Sequence, residues 1–578
     1  MTTETKINEV NDYFKLPIYY NENKIQLNKN IITDLELVTT IDQSCNPIYN
    51  FYFDNDNDIS KQINNQVCKY YTDDVLFLKD NQTLLKEFKN VNVKYTDYSP
   101  NYKNIVEIWN ELKIDTGFKD RYLFIEWDTI EFLNRSEFFL QFMSIYNLMS
   151  PLISLLVPII ILIIPFFIIK LRGLSLTIQE YIQVLKIVAH QNAVGKLFVV
   201  NFNDINIQEK FYILISAIFY IFSIYQNFMV CVRFNRNMKN IHCHFNEIKI
   251  YLDHTINSMN NYLKYSNELK SHEHFNSVIQ DKLLVLKNIQ NKIRMITEYN
   301  MFNFTKIKEI GYVLKTFYEL HTDKIYDDAI MYSFGFHGYI DCINGLQNNI
   351  IERKINFVSY TDDNKKSRFD NAYYATLKNL KPIKNTIKFK KNMVVTGPNA
   401  SGKTTILKST IINIILSQQF GCGFFDSGKL KPFKYIHCYL NIPDTSGRDS
   451  LFQAEARRCK EILDTIDNNQ DKTHFCAFDE LYSGTNPEEA ELSAIAFMKY
   501  ITKNKNVFCI LTTHFIKVCK KLEKTYMIKN YKMKTENNDG SLIYKYILEN
   551  GISKIKGGIS VLQQMNYPKE IINDTINK

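Results

Sequence analysis

The sequence predicts an α/β domain built on a mostly parallel sheet at residues 355–578, behind a mainly helical region that a transmembrane helical hairpin interrupts. Three observations carry this reading. Met393-Val-Val-Thr-Gly-Pro-Asn-Ala-Ser-Gly-Lys-Thr-Thr405 runs from a short apolar strand through a glycine-bounded loop into a helix. Leu152–Ile169 and Phe211–Val232 are 18 and 22 residues long and hold no charge. From about residue 355, strand-like and helix-like stretches alternate, the pattern of a parallel sheet.

The bulk numbers set loose bounds. A chain of 578 residues has the length for about three to five domains. Its 45% hydrophobic and 23% charged content is ordinary for a folded protein. A net charge of +9 permits contact with nucleic acid or anionic lipid and demands neither. The 11 cysteines form no Cys-x-x-Cys pair and read as reduced intracellular thiols. His242-Cys243-His244 lacks the second cluster that a zinc site needs. Met1-Thr-Thr-Glu-Thr-Lys6 has no basic-then-apolar signal sequence.

In chain order, residues 1–25 read as a polar, frayed tail. Residues 26–148 read as mainly helical, because Gln82-Thr-Leu-Leu-Lys-Glu-Phe88 and Ile105-Val-Glu-Ile-Trp-Asn-Glu-Leu112 place apolar residues at helical spacing. Residues 149–232 read as a membrane hairpin with spans at about 152–170 and 211–232. Each run can cross a hydrocarbon core of about 30 Å at about 1.5 Å per residue. Buried core helices meet the same length test. Pro158 and Pro165, and the aromatics Phe211, Tyr212, Tyr220 and Tyr225, favour lipid. Between the spans, residues 174–185 are amphipathic and suit a membrane surface. Residues 237–350 read as helical, either a lever or a plain bundle, which spacing does not separate.

The loop fits Gly-x-x-x-x-Gly-Lys-Ser/Thr, the pattern of a P-loop NTPase. In such a loop, backbone N–H groups curl around phosphates and the helix N-terminus adds its positive dipole end. Gly397, Pro398, Asn399, Ala400, Ser401, Gly402, Lys403, Thr404 and Thr405 are the candidate ATP-binding residues. Lys403 would reach the outer phosphates, and the Thr404 hydroxyl would ligate Mg2+. Thr473-His-Phe-Cys-Ala-Phe-Asp-Glu480 is an apolar strand ending in two acids. Asp479 suits the magnesium shell, and Glu480 suits the general base that deprotonates an attacking water. His514, which closes the strand Val507-Phe-Cys-Ile-Leu-Thr-Thr-His514, is either a γ-phosphate sensor or a locally bonded strand end. An ATP site needs the cytosol, so two spans put both termini on that side. Arg172, Lys186, Lys196 and Lys210 in the connection weaken any argument from charge alone.

These segments resemble the MutS ATPases. Thr396-Gly-Pro-Asn-Ala-Ser-Gly-Lys-Thr-Thr405 is similar to their phosphate loop, and Asp449-Ser-Leu-Phe-Gln-Ala-Glu455 to a segment that opens with Ser and continues into a Glu-containing helix. Asp479-Glu-Leu-Tyr-Ser-Gly-Thr485 is similar to their Asp-Glu-x-x-x-Gly-Thr stretch, and Thr512-Thr-His514 to their Thr-His strand end. The tail from Gly551 to Ile572 resembles their closing segment. The resemblance covers about 355–578 and implies an ABC-like, MutS-type ATPase domain working as a head-to-tail homodimer or a MutS-like heterodimer. It further implies that Ser450 reaches the γ-phosphate in the facing site, with Gly484 and Thr485 closing that interface, and that DNA is the partner.

Two departures matter. Ala400-Ser401 stands where Met-Gly is common in the family, a change that should leave ATP binding intact. Mismatch readers wedge a Phe from a Phe-x-Glu motif into the duplex; Phe124-Ile-Glu126 and Phe317-Tyr-Glu319 occur at chance frequency, and neither sits in an N-terminal wedge domain. The leading expectation is a multi-pass membrane ATPase of the MutS type that couples ATP to DNA binding, without that wedge. The alternative is a membrane remodelling or transport motor on the same ATPase. An ABC exporter would need about six spans and a Leu-Ser-Gly-Gly-Gln signature. An inactive scaffold fits poorly with intact Glu480 and His514.

Overall fold

The structure, a computed structural model, describes residues 9–42, 44–54, 57–89, 102–113, 116–173, 177–191, 195–196, 206–297, 307–363, 366–440, 450–538, 541–555, 565, 567–568 and 570–571. It divides into two compact units, residues 93–256 with 284–329, and residues 4–92 with 257–283 and 330–578. The stretch 26–148, read from sequence as one region, is thus split near residue 92.

The larger unit opens with β1 (Lys24–Gln26), α1 (Lys29–Asp34), α2 (Ile48–Phe53), α3 (Asp58–Val67), β2 (Tyr70–Thr72) and α4 (Val75–Glu87). Asn57 and Asp74 cap α3 and α4, their side chains accepting from the N–H groups of Ile59 and Leu76. The expected frayed tail is corrected where residues 9–25 are described. Phe14 is 0% exposed and meets Tyr332 and Phe275 edge-on at 5.1 and 6.0 Å, and Val10, Leu16 and Ile18 are buried too. Gly335 makes room for this ring, since a Cβ there would lie 2.2 Å from Phe14 Cβ. Composition hid the anchor because a few apolar side chains suffice in a segment otherwise rich in Asn, Lys and Glu. Farther along, buried Gln418 and Gln419 tie down the end of α3 and the strand β2. Gln418 Nε2 donates to the carbonyls of Thr72 (3.0 Å) and Phe433 (2.8 Å). Gln419 Nε2 donates to those of Val67 (2.8 Å) and Tyr70 (3.0 Å). Buried polar groups are stable only when paired in this way.

Helices then dominate: α5 (Tyr102–Leu112), α6 (Phe118–Tyr122), α7 (Glu137–Leu171), α8 (Ile178–Gln191), α9 (Ile207–Ser266), α10 (Glu273–Arg294), α11 (Ile310–Thr322) and α12 (Lys324–Ile351). In the smaller unit, Phe118, Tyr122, Phe124 and Phe317 form an aromatic core. Phe124 and Phe317, the rings of the two Phe-x-Glu triplets, are 6% and 1% exposed and are core side chains. α7 and α11 approach closely at Gly311, whose N–H donates to Gln141 Oε1 at 2.8 Å. By length and composition, Glu137–Leu156 of α7 and the helix α9 could each cross a membrane, with mean hydropathies of 1.4 and 1.7. Within these helices Tyr220 donates to the Ser154 carbonyl at 3.0 Å, and Asn227 Nδ2 to Ser154 Oγ at 2.5 Å.

The rest of the larger unit carries β3 (Asn356–Tyr360), β4 (Arg368–Ala372), β5 (Asn385–Lys388), β6 (Asn392–Thr396), α13 (Lys403–Ser417), β7 (Cys422–Gly423), β8 (Ser427–Leu430), β9 (Tyr435–Tyr439), α14 (Leu451–Asn468), β10 (His474–Asp479), α15 (Pro487–Ile501), β11 (Val507–Thr513), α16 (Ile516–Glu523), β12 (Ile528–Asn538) and β13 (Ser541–Asn550). One sheet has the order β13-β12-β6-β11-β10-β9, parallel except for the antiparallel edge strand β13. A second has the order β5-β4-β8-β3-β7, and only β3 and β8 pair in parallel. A mostly parallel sheet therefore describes the first sheet, while β3 and β5 belong to a mixed one. Alternation explains the difference: β5 buries Asn385 and Ile387 and exposes Thr386 and Lys388, as a half-solvated antiparallel strand does.

Candidate active site

β6 is buried at all five residues between β11 and β12, and it delivers the chain to the carboxyl edge of the parallel sheet. The loop that follows bends through left-handed backbone at Ala400 (φ 61) and Gly402 (φ 93), and Gly402 is the N-cap of α13. Lys403 is 5% exposed, and its Nζ donates to the carbonyls of Gly397 (3.1 Å) and Pro398 (3.3 Å). Ser401 is 1% exposed, and its Oγ has no hydrogen-bond partner among the described residues. A buried cation whose hydrogen bonds go to carbonyls, beside an unpaired hydroxyl, fits an anionic phosphate. Asn399, Ala400 and Thr405 are exposed, and Pro398 is buried.

Oxygen donors converge beside the loop. Thr404 Oγ1 donates to Asp479 Oδ2 at 2.9 Å, and Thr512 Oγ1 donates to the other Asp479 oxygen. A hydroxyl and a carboxylate are hard oxygen ligands of the kind Mg2+ selects, so this pair fits the metal. The sequence had flagged Thr512 only as part of a strand end; its bond fixes Asp479. Glu480 follows in left-handed backbone (φ 51), and its N–H donates to the Thr512 carbonyl at 3.0 Å. Strained backbone of this kind persists where surrounding structure enforces it, and it clusters at active sites. Glu480 Oε1 lies 3.5 Å from His514 Nδ1 and 3.7 Å from Lys403 Nζ. The hydrogen bond from His514 holds the Glu480 carboxyl below its ordinary pKa, aided by the charges of His514 and Lys403 and opposed by burial. Glu480 is therefore ionised at neutral pH, as a proton acceptor must be.

Ser450 is exposed and caps α14. Its Oγ accepts from the Gln453 N–H at 3.3 Å, while Gln453 Oε1 accepts from the Ser450 N–H at 2.9 Å. Ser450 makes no bond to the loop among the described residues. It belongs instead to a second cluster held by Glu455, which is 3% exposed. Glu455 accepts from Ser483 Oγ at 2.9 Å and from the Gly484 N–H at 3.1 Å. Gly484 is required there, because a Cβ would lie 2.7 Å from Leu451 Cγ and 2.9 Å from the Phe452 nitrogen. Thr485 Oγ1 donates to Glu489 at 2.8 Å. Asp449 and residues 556–564 of the expected closing segment lie outside the described residues.

A cleft of about 400 Å³ opens beside Gly402 and Thr405, lined by Tyr373, Tyr374, Leu377, Ile383 and Tyr546 among others. No motif signals it, because β4, the turn after it, and the distant strand β13 contribute its walls. Lys403, Thr404, Asp479, Glu480 and His514 thus converge, Gly484 packs against the start of α14 that Ser450 caps, and Thr485 bonds to Glu489 on α15.

The family profile described as MutS domain V matches residues 393–578. The chain is 28% identical over 214 residues to the DNA mismatch repair protein Msh3 of Dictyostelium discoideum, covering 34% of this chain and 15% of that protein. It is 26% identical over 182 residues to the DNA mismatch repair protein MutS of Aquifex pyrophilus, covering 31% and 21% respectively. It is 26% identical over 282 residues to the endonuclease MutS2 of Lactococcus lactis subsp. cremoris, covering 48% and 35%. The matched stretch thus spans between 15% and 35% of these relatives. Residues 393–578 of this chain are thus a domain of the MutS family.

Proposed function

We propose that the chain binds and hydrolyses Mg-ATP at the β6–α13 loop, in a head-to-tail dimer, and couples this to DNA binding while anchored in a membrane by α7 and α9. The carrying observation is the pairing of Thr404 with Asp479 at 2.9 Å beside buried Lys403 and half-buried Glu480. Mg2+ held by Thr404 and Asp479 would neutralise phosphate charge. Lys403 exchanges its two loop carbonyls for phosphate oxygens. The loop N–H groups and Asn399 orient the phosphates, and the tyrosine-lined cleft takes the base by stacking. Glu480 orients a water and accepts its proton on the carboxylate, while His514 holds that carboxylate in place. Ser450, carried with Gly484 on the Glu455 clamp, faces the nucleotide of the second subunit. The similarity to DNA mismatch repair proteins supports DNA as the partner.

A membrane remodelling or transport motor is the second reading. The exposed apolar surface of α7 and α9 favours it, with Leu155 53% and Phe219 68% exposed. The ATPase domain would face the cytosol in both readings. The test is hydrolysis by the detergent-solubilised full chain, with and without matched, mismatched and branched duplexes and lipid. A DNA-dependent rate is the expected result. A lipid-dependent rate blind to every duplex overturns the DNA coupling in favour of the motor.

A further inference from the structure

The solvent face of the second sheet carries an unusual row. Arg368 on β4 stands directly opposite Lys388 on β5 and directly opposite Lys429 on β8. Their neighbours Ile387, Phe369 and Leu430 are buried, so the three cations share the outer face. Adjacent strands lie about 4.8 Å apart, and like charges directly opposite one another destabilise a sheet. Arg368 alone is relieved, by Asp370 at 3.0 Å, and Asp370 also accepts from Ser427 Oγ at 2.9 Å. Among the described residues, Lys388 and Lys429 have no ion pair. Two open clefts of about 540 and 740 Å³ share Arg368 and Lys388 and add Lys366, Lys390 and Lys529 at their borders. Hydroxyls of Ser359 and Thr386 line the same clefts.

We infer that this face docks the phosphodiester backbone of a duplex nucleic acid, independent of sequence. Cations and hydroxyls spaced by strand separation are the groups that grip phosphate oxygens. The three cations have no aromatic ring among them, and Tyr531, which lines the wider cleft, already has Lys529 Nζ over its ring at 5.1 Å, which disfavours single strands that need a free stacking face. No large apolar side chain of β3, β4, β5 or β8 is exposed among the described residues, so nothing here inserts into lipid. The inference rests on the DNA-coupled reading above and locates a contact for it.

The test is fluorescence anisotropy of a labelled duplex against the detergent-solubilised full chain over a salt series, comparing wild type with R368Q/K388Q/K429Q. The variant should bind at least about tenfold more weakly at low salt. Its slope of log affinity against log salt should be shallower by about 2.7, at about 0.9 per phosphate contact. Basal ATP hydrolysis should hold, since no phosphate-loop group is touched, and the melting temperature should hold or rise, since the opposed like charges are relieved. K388Q/K429Q, which keeps the Arg368–Asp370 pair, should give about two thirds of the slope change. If wild type binds the duplex and both variants match it, the face is overturned while DNA coupling stands. If wild type binds no duplex at low salt, both fall. If the substitutions abolish binding to phosphatidylserine vesicles and leave duplex binding intact, the face is a membrane contact and the inference is overturned.

Discussion

Glu455→Ala tests how the Ser450 end of α14 is held. Glu455 is 3% exposed and accepts two hydrogen bonds, from Ser483 Oγ at 2.9 Å and the Gly484 N–H at 3.1 Å. Hydrogen bonds to a charged group contribute about 1.5–3 kcal/mol each. Ser483 is exposed and regains water when released, so its share falls at the low end. The combined loss is about 3 kcal/mol, and at about 2 °C per kcal/mol the melting temperature should fall by about 6 °C. Glu455→Gln keeps one acceptor oxygen and should lose about half of that. Differential scanning calorimetry reads the stability, and hydrogen exchange at Gly484 reads the clamp. A Glu455→Ala protein that melts within about 1 °C of wild type, with its Gly484 amide still protected, would refute the clamp.

Other outcomes follow from the same geometry. His514→Ala removes the main cause of the lowered Glu480 pKa, so that pKa rises toward its ordinary 4.5. Activity that needs ionised Glu480 is lost as pH falls through that value, so the acid limb of kcat should move to higher pH in the variant; an unmoved limb separates His514 from Glu480. Phe14→Ala should destabilise the larger unit by about 3–5 kcal/mol, because Phe14 is 0% exposed against Tyr332 and Phe275. Chemical denaturation checks this, and an unchanged midpoint would return residues 9–25 to the status of a tail.

The strand, loop and helix from β6 to α13 were legible because their signal is local. Two glycines, a lysine and a hydroxyl at fixed offsets between a strand and a helix leave little freedom. Asp479 and Glu480 were legible for a similar reason, at the end of an uninterrupted apolar strand. Glu455 was visible as a letter in a helix, but its role depends on a turn reached after β10, which spacing along α14 does not reveal. Phe14 was hidden more deeply, since its partners Phe275 and Tyr332 lie far along the chain and its own neighbourhood is polar. The second sheet was misread for a physical reason: β4, β5 and β8 are short and polar on one face, so they lack the continuous apolar signature of buried parallel strands. The long helices were plain from charge-free runs, yet α7 begins at Glu137, ahead of its apolar stretch, because Ser136 caps it by accepting from the Phe139 N–H at 3.3 Å.

The most direct measurement of the central claim is single-turnover ATP hydrolysis by the full chain, wild type against Glu480→Gln, with ATP affinity measured on both. General-base catalysis contributes about 10²–10⁴-fold, so the variant should hydrolyse that much more slowly while binding Mg-ATP as tightly as wild type. Equal rates in the two proteins, or a wild type that binds no ATP, would contradict the assignment of this site.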